Sequence, residues 1–358
     1  MQVPSVLIGM SGGVDSSVAV YLMKQQGFRC TGATMRLIDP DCKGIPSDWP
    51  DDTADARAVA ERMEIPFHIF DFCDDFRCHV MDQFVNCYEC GLTPNPCIVC
   101  NRQLKFGKFL DQALSMGYEY VVTGHYARIQ KDEQTGRYLL YKAQDLPKDQ
   151  SYFLYCLNQH QLAHTILPLG SLTKAEVRRI AQEQGFLNAR KRDSQDICFI
   201  PDGDYRAFLE SYTGKHYPNG SFLDQNGTVV GTHTGAVGYT LGQRKGLGLA
   251  MGAPVYVCSK NMQDNTVTVG PNEALFHRAL RANDLNWMPF PALTDPIRVK
   301  AKTRSRMTEQ PATIYPEADG SVRVVFDEPQ RAMTPGQAVV FYDGDLVVGG
   351  GTITSIES

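Results

Sequence analysis

Three groups of residues in this chain have types and spacings suited to chemistry. The first is Ser11-Gly12-Gly13-Val14-Asp15-Ser16-Ser17, which follows the apolar run Val6-Leu7-Ile8-Gly9-Met10. Two glycines let a backbone approach an anion closely, and amides and hydroxyls then converge at a helix start, where the dipole favours negative charge. No Gly-Lys-Ser/Thr follows, so this is not the Walker pattern; the plain alternative is a glycine turn feeding an ordinary helix. The second group is Gly124-His125-Tyr126, after Tyr120-Val121-Val122-Thr123. Ligands of open parallel sheets bind beyond the carboxyl ends of strands, which puts this turn and the first loop on one edge. The third group is cysteine. Cys87-Tyr88-Glu89-Cys90 and Cys97-Ile98-Val99-Cys100 are CxxC pairs, and Cys198 stands far downstream in Ile197–Ile200. Cys87, Cys90, Cys97 and Cys100 are candidate zinc ligands, and Cys97, Cys100 and Cys198 are candidate ligands of an iron–sulfur cluster. Alternatively, Cys100 and Cys198 form a sulfur-handling pair, in which one thiol carries sulfur as a persulfide and the other resolves it by exchange. Cys30, Cys156 and Cys258 read as buried and inert. The thiols beside Thr93-Pro94-Asn95-Pro96 do not, because a Pro-rich loop is not a core. No role is assigned to Cys73 and Cys78.

The elements that must position these groups follow from periodicity. Val14, Val18, Tyr21 and Leu22 recur at helical spacing, and Gly27 ends that helix. Cys30–Met35 reads as a second strand, Thr53–Met63 as a helix, Phe67–Phe70 as a third strand, Leu104–Met116 as a helix and Tyr120–Gly124 as a fourth strand. Alternation of this kind implies a parallel sheet with crossover helices, a doubly wound α/β domain. The segment Cys73–Cys100 interrupts it. From Lys148 to Ala207 the pattern is mostly helical, with Thr173 a helix N-cap and Glu176 three residues on. Beyond about residue 213 short alternating segments appear, among them Ala253–Cys258, Thr266–Val269, Val322–Phe326 and Ala338–Tyr342, with turn signals such as Asp343-Gly344. These predict small β-barrel-like modules.

A chain of 358 residues is long for one core and suggests two or three domains. With 43% hydrophobic and 21% charged residues, it has the balance of a globular protein. No apolar run reaches membrane-spanning length, and Met1-Gln2-Val3-Pro4 does not begin a secretory signal, so a cytoplasmic protein is expected. Eleven cysteines therefore do not predict a disulfide scaffold. The net charge of −5 argues mildly against a nucleic-acid partner. Local patches decide such binding, however, and basic clusters occur at Arg178-Arg179, Arg190-Lys191-Arg192, Arg244-Lys245 and Lys300, Lys302, Arg304, Arg306.

The loop Ser11–Ser17 resembles the PP-loop of ATP pyrophosphatases, which holds the pyrophosphate part of ATP for attack at the α-phosphate. That likeness implies Mg²⁺ near Asp15. Taken with Thr93-Pro94-Asn95-Pro96 and Cys100-Asn101, Thr123–Tyr126, Lys148–Leu154, Ile197–Ile200, Thr240–Gly248, Lys302-Thr303-Arg304, Phe326–Pro329 and Thr334–Gln337, nearly the whole chain is similar to the tRNA-specific 2-thiouridylase family. The resemblance implies a PP-loop (adenine nucleotide alpha hydrolase-like) domain over 1–202 with helical insertions, a central β-rich domain over 203–276 and a tRNA-contacting C-terminal β-barrel over 277–358. It implies ATP-dependent 2-thiolation of the wobble uridine of tRNA. The 2-oxygen is adenylated and then replaced by sulfur carried as a persulfide on Cys198, with Cys100 as the partner thiol and a Cys100–Cys198 disulfide left behind. Gly9, Met10, Ser11, Gly12, Gly13, Val14, Asp15, Ser16, Met35 and Gly124 match nucleotide-binding positions. Asn95, Pro96 and Cys97 match the segment facing the base. His125, Lys148, Asp149, Gln150, Arg304, Ser305 and Gln337 match tRNA-contacting positions, and the basic clusters would be phosphate contacts. The uridine must leave its stack to be reached, and a persulfide or hydrosulfide donor protein is a further partner.

One departure matters. Many members carry an acidic residue where this chain has Cys97, and lack Cys87 and Cys90. This keeps the iron–sulfur route open as a variant mechanism beside metal-free chemistry. Two other readings were weighed. An amidating PP-loop ligase explains neither Cys198 nor the β modules. A metal-binding RNA-interaction protein does not need an intact Ser11–Ser17 loop.

Overall fold

The computed structural model describes residues 3–39, 42, 45, 52–186, 188–189 and 197–357. The basic run Arg190-Lys191-Arg192 lies outside the described residues.

The N-terminal apolar run forms β1 (Ser5–Gly9), which is buried almost throughout because both its faces are covered. The chain then enters α1 (Val14–Gln25), and Gly27, at φ +83°, turns it toward β2 (Arg29–Arg36). Helix α2 (Asp52–Arg62) leads to β3 (Phe67–Asp71), and β4 (Tyr120–Val122) follows the cysteine-rich segment. The sheet order is β3-β2-β1-β4, with the short strand Thr165–Ile166 outside β4, and every pairing is parallel. Since β2 and β4 flank β1 on opposite sides, the chain direction of the crossovers switches there. The crevice beyond the carboxyl ends of β1 and β4 is the expected ligand site of such a sheet.

The β region contains two units. Gly220–Leu223, Val229–His233, Tyr256–Asn261 and Thr266–Gly270 make a small four-stranded sheet. Phe276–Trp287, Ile297–Lys302, Gln310–Pro316, Val322–Arg331, Ala338–Asp343 and Leu346–Glu357 make a six-stranded antiparallel barrel, closed by pairing of its first and last strands. Its interior is packed with Leu280, Ile314, Val324 and Phe341. The Asp343-Gly344 turn is a hairpin turn, with Gly344 at φ +56°.

The structure departs from the sequence reading at three places. The stretch Cys73–Cys100 is largely helical. Cys73–Phe76, Arg77–Met81 and Asp82–Glu89 run on as α, π and α turns, and Pro96, at the first position of the helix Pro96–Cys100, starts that helix rather than extending a loop. Cys100 is consequently a core residue, 7% exposed and packed in the main apolar cluster. The helix read over Leu104–Met116 begins earlier and is wound as a π-helix over Asn101–Lys108 before returning to α over Phe109–Ser115. A hairpin, Ala127–Lys131 with Tyr138–Lys142, was not anticipated. It leaves the α/β sheet and joins the barrel sheet, Tyr141 opposite Leu346.

No helix among the described residues is long and apolar enough to cross a membrane.

Candidate active site

The loop between β1 and α1 is held by its own side chains. Ser16 and Ser17 hydroxyls both donate to the Gly13 carbonyl at 3.0 Å, and the Ser11 amide donates to Ser16 Oγ at 3.3 Å. Gly12 takes φ +67°, a conformation costly for any residue with a Cβ. Asn188 locks the loop from outside, its Nδ2 donating to the Gly12 carbonyl and to Ser17 Oγ, both at 2.9 Å. Met10 is tied to β2 by its amide to the Ala33 carbonyl and by Thr34 Oγ1 donating to the Met10 carbonyl. Met35 stands at the carboxyl end of β2 and is half-buried. The result is a preset helix N-terminus that can take an anion without rearrangement.

Gly124 follows β4 against this loop. A Cβ there would lie 2.9 Å from the Asp15 carbonyl carbon and the Ser16 amide, so only glycine allows the two strand ends to meet. Asp15 is held between Lys174, whose Nζ lies 2.8 Å from both carboxylate oxygens, and the Tyr126 hydroxyl, which donates to Oδ1 at 2.8 Å. Lys174 follows the Thr173 N-cap, where Thr173 and Glu176 form the anticipated capping box. Neither Lys174 nor Asn188 was singled out from sequence. The capping box fixes a helix but does not say which of its residues faces Asp15.

The thiol group is tied to this edge through His125, the residue after Gly124, because the Lys105 charge acts on His125 and on Cys97, Cys100 and Cys198 alike. Cys97 and Cys100 share one face of the helix Pro96–Cys100; Cys97 is exposed and Cys100 buried. Cys198 is exposed, and both it and Cys100 are free thiols. Although Cys198 reaches the surface, its thiol is enclosed by surrounding protein, which pushes it up to about 12, and the proximity of Cys100 and Cys97 adds to the rise. Burial also raises Cys97 and Cys100, while the Lys105 ammonium pulls in the opposite direction on all three. His125 is held well below the usual imidazole range by burial and then by Lys105, and so is neutral; its Nδ1 is 2.8 Å from Thr123 Oγ1 and its ring packs on Phe106. Asn188 Oδ1, beside the loop, is buried without a partner among the described residues, and so are Thr93 Oγ1 and Asn101 Oδ1, which precede and follow the helix Pro96–Cys100.

Among the described residues no three His, Cys, Asp or Glu side chains gather in a metal-holding arrangement, so neither a cluster on Cys97, Cys100 and Cys198 nor zinc on Cys87, Cys90, Cys97 and Cys100 is shown. Cys87 lies on the helix Asp82–Glu89 and Cys90 caps it. Asp15 alone is consistent with Mg²⁺ brought in on ATP, since that ion is commonly bound by one or two carboxylates plus phosphates.

The residues matched to tRNA contacts have diverse surroundings. Asn95 is the N-cap of Pro96–Cys100, with no side-chain cap bond. Lys148 and Ser305 are half-buried. Asp149 accepts from the Ala143 and Ser151 amides and the Ser151 hydroxyl, which turns it inward. The Gln150 Oε1 accepts from the Tyr126 amide at 2.9 Å. Arg304 donates to the Ala332 carbonyl at 3.0 Å, joining neighbouring loops. Gln337 Nε2 donates to the carbonyls of Thr93 and Pro94, at 2.9 and 3.2 Å, and so fixes the loop that carries Asn95. Of the basic residues, Arg244, Lys245, Lys300 and Arg306 are exposed, whereas Lys302 is buried over the rings of Tyr342 and Tyr152.

Comparison with known proteins follows the same division of the chain. Profiles described as tRNA methyl transferase HUP domain, tRNA methyl transferase PRC-barrel domain and aminomethyltransferase beta-barrel domain match residues 4–202, 206–271 and 277–353. The tRNA-specific 2-thiouridylase MnmA of Clostridioides difficile (strain 630) is 48% identical over 351 residues, 97% of each chain. That of Acetivibrio thermocellus is 48% identical over 358 residues, 99% of this chain and all of its own. A solved 4-thiouridine synthetase–RNA complex with bound ATP aligns over 55% of this chain and 45% of its own, at 15% identity and a TM-score of 0.36, and adds nothing to the assignment. Near-complete coverage at close to half identity leaves one conclusion, that this chain belongs to the tRNA-specific 2-thiouridylase family.

Proposed function

We propose that this chain catalyses ATP-dependent 2-thiolation of the wobble uridine in tRNA, as a tRNA-uridine 2-sulfurtransferase. The observation that carries the reading is a preset phosphate loop packed on Gly124, with the next residue, His125, sharing the Lys105 charge with a group of mutually close thiols. The loop can activate an oxygen and the thiols can replace it.

The route balances in three steps. The uridine O2 attacks the α-phosphorus of ATP, pyrophosphate leaves and the N3 proton is lost. Loop amides at the start of α1 stabilise the departing pyrophosphate, and Mg²⁺ beside Asp15 would neutralise its charge. The outer sulfur of a persulfide on Cys198 then attacks C2, and AMP leaves with the oxygen. Finally the Cys100 thiolate attacks Sγ of Cys198. The bond to the outer sulfur breaks, its electron pair stays on the base as 2-thiouridine, which regains a proton at N3, and a Cys100–Cys198 disulfide forms. An external thiol reductant restores the pair, and a persulfide donor protein reloads Cys198: the Cys198 thiolate attacks the donor's outer sulfur and the donor's thiolate leaves.

Within this reading Gly9–Ser16, Met35 and Gly124 hold ATP, and Asn95, Pro96 and Cys97 face the base. Lys148, Arg304, Ser305 and His125 lie along the tRNA path, while Asp149, Gln150 and Gln337 act by holding that path in shape. Residues 1–202, 203–276 and 277–358 are the catalytic, central and tRNA-contacting domains of a cytoplasmic enzyme. Pyrophosphate release from ATP, measured with and without unmodified tRNA, tests the reading. Release is expected to depend on tRNA, and tRNA-independent release would refute it.

A further inference from the structure

Lys105 belongs to no motif that sequence reasoning singled out, and its surroundings are unusual. It sits half-buried in the π-helix Asn101–Lys108, one element on from Cys100. A π-helix bonds residue i to i+5, as the Phe109 amide does to the Leu104 carbonyl, and so brings side chains five apart round to nearly the same face. An α-helix would carry Lys105 well away from Cys100; the π turn brings it round toward the face on which Cys100 lies. Gly107 accommodates the widened turn: a Cβ there would stand 2.9 Å from the Arg102 carbonyl oxygen. Lys105 has no hydrogen-bond or ion-pair partner among the described residues. Its charge reaches Cys97, Cys100, Cys198 and His125 together. Among the described residues, Cys100, Cys97 and Lys105 are the titratable groups that act on Cys198.

An unpaired ammonium among neutral groups has a use only when one of them becomes negative. We propose that Lys105 is the counter-charge of the sulfur site, stabilising the anionic sulfur first on Cys198 and then on Cys100. It acts through those sulfurs and is in that sense a positioning residue. The thiols rest protonated and unreactive because burial disfavours their anions. Each sulfur step needs an anion as nucleophile, and a nearby cation raises its population without opening the site to water. Lys105 also adds to the burial that keeps His125 neutral, since a second cation beside the first would be repelled. The inference rests on the sulfur-carrying reading of Cys198, but it is tested without turnover.

The test is alkylation by iodoacetamide of the full-length protein, free of ATP and tRNA, read residue by residue by mass spectrometry between about pH 7 and about pH 9. Lys105→Met and Lys105→Gln are expected to slow labelling of Cys198 at least about threefold at each pH, and Lys105→Arg to stay within about twofold of the unmodified chain. Exposed Cys90 serves as the internal reference, and protection of buried Cys30 reports an intact fold. Equal or faster Cys198 labelling in both neutral variants overturns the proposal, as does an arginine variant as slow as the methionine one. If pyrophosphate release proves independent of tRNA, the thiolation reading falls while this electrostatic result stands.

Discussion

The ATP loop and the thiol group are organised in opposite ways. The loop is largely local: Ser11, Gly13, Ser16 and Ser17 satisfy one another within seven residues, and Asn188, Lys174 and Tyr126 brace it from elsewhere. The thiol group is assembled from Cys97, Cys100, Lys105, His125 and Cys198, which are spread over a hundred residues and meet only after folding. The first is a rigid receptor for charge that arrives with the substrate. The second must generate its charge in place, within surroundings that resist it.

Cys198→Ala gives the largest break between the two. Thiolated tRNA is expected to fall at least about a thousandfold, while ATP still protects the protein against thermal unfolding. Thiolation near the level of the unmodified chain would remove Cys198 from the route. Gly124→Ala should act on the other side. Its new methyl group meets backbone atoms of Asp15 and Ser16, a clash that no rotamer relieves. Overpacking of this kind costs about 1–3 kcal/mol, so ATP affinity measured by calorimetry should drop roughly tenfold or more, with Cys198 alkylation unchanged. Unaltered ATP affinity would show that the strand ends are not as tightly apposed as the geometry requires.

The smallest effect concerns His125 and acid. Its folded pKa lies below the usual 6.5, so below that value the unfolded chain binds a proton that the folded chain refuses. Its contribution to stability is therefore neutral above the ordinary value and increasingly unfavourable as pH falls beneath it, by at most about 1.4 kcal/mol per pH unit. His125→Gln should flatten the acid limb of a urea-unfolding stability profile between about pH 5 and about pH 7. An acid limb as steep as in the unmodified chain would place the proton uptake on other groups.

The contrast also explains what the sequence could reveal. The loop was legible because its geometry is a property of seven consecutive residues bounded by a strand and a helix. The sheet was legible because each strand is apolar and each crossover is punctuated, as Gly27 shows. The thiols were visible as residue types, but Cys100 was misread as exposed, because Pro96 was taken as a loop marker when it opens a helix. Lys105 could not be found, because its register depends on a π turn whose hydrogen-bond shift leaves no periodic signature. The hairpin Ala127–Lys142 escaped because its two strands are only half apolar and separated by a polar turn, Asp132–Gly136. Lys174 and Asn188 matter only through tertiary contacts with the loop.

That hairpin bears on how the molecule can be cut. Family profiles divide the chain near residue 202, but hydrogen bonds cross that division. The Lys142 amide donates to the Asp345 carbonyl, Arg137 donates to the carbonyls of Met288 and Trp287, and the Tyr152 hydroxyl donates to the Ala338 carbonyl. Lys142 also pairs with Glu309. A fragment ending at 202 would leave a strand edge bare and strand a lysine cation at a surface meant to be covered, both invitations to aggregation. The boundary that evolution reads as a seam between modules is, for a protein engineer, the middle of a joint.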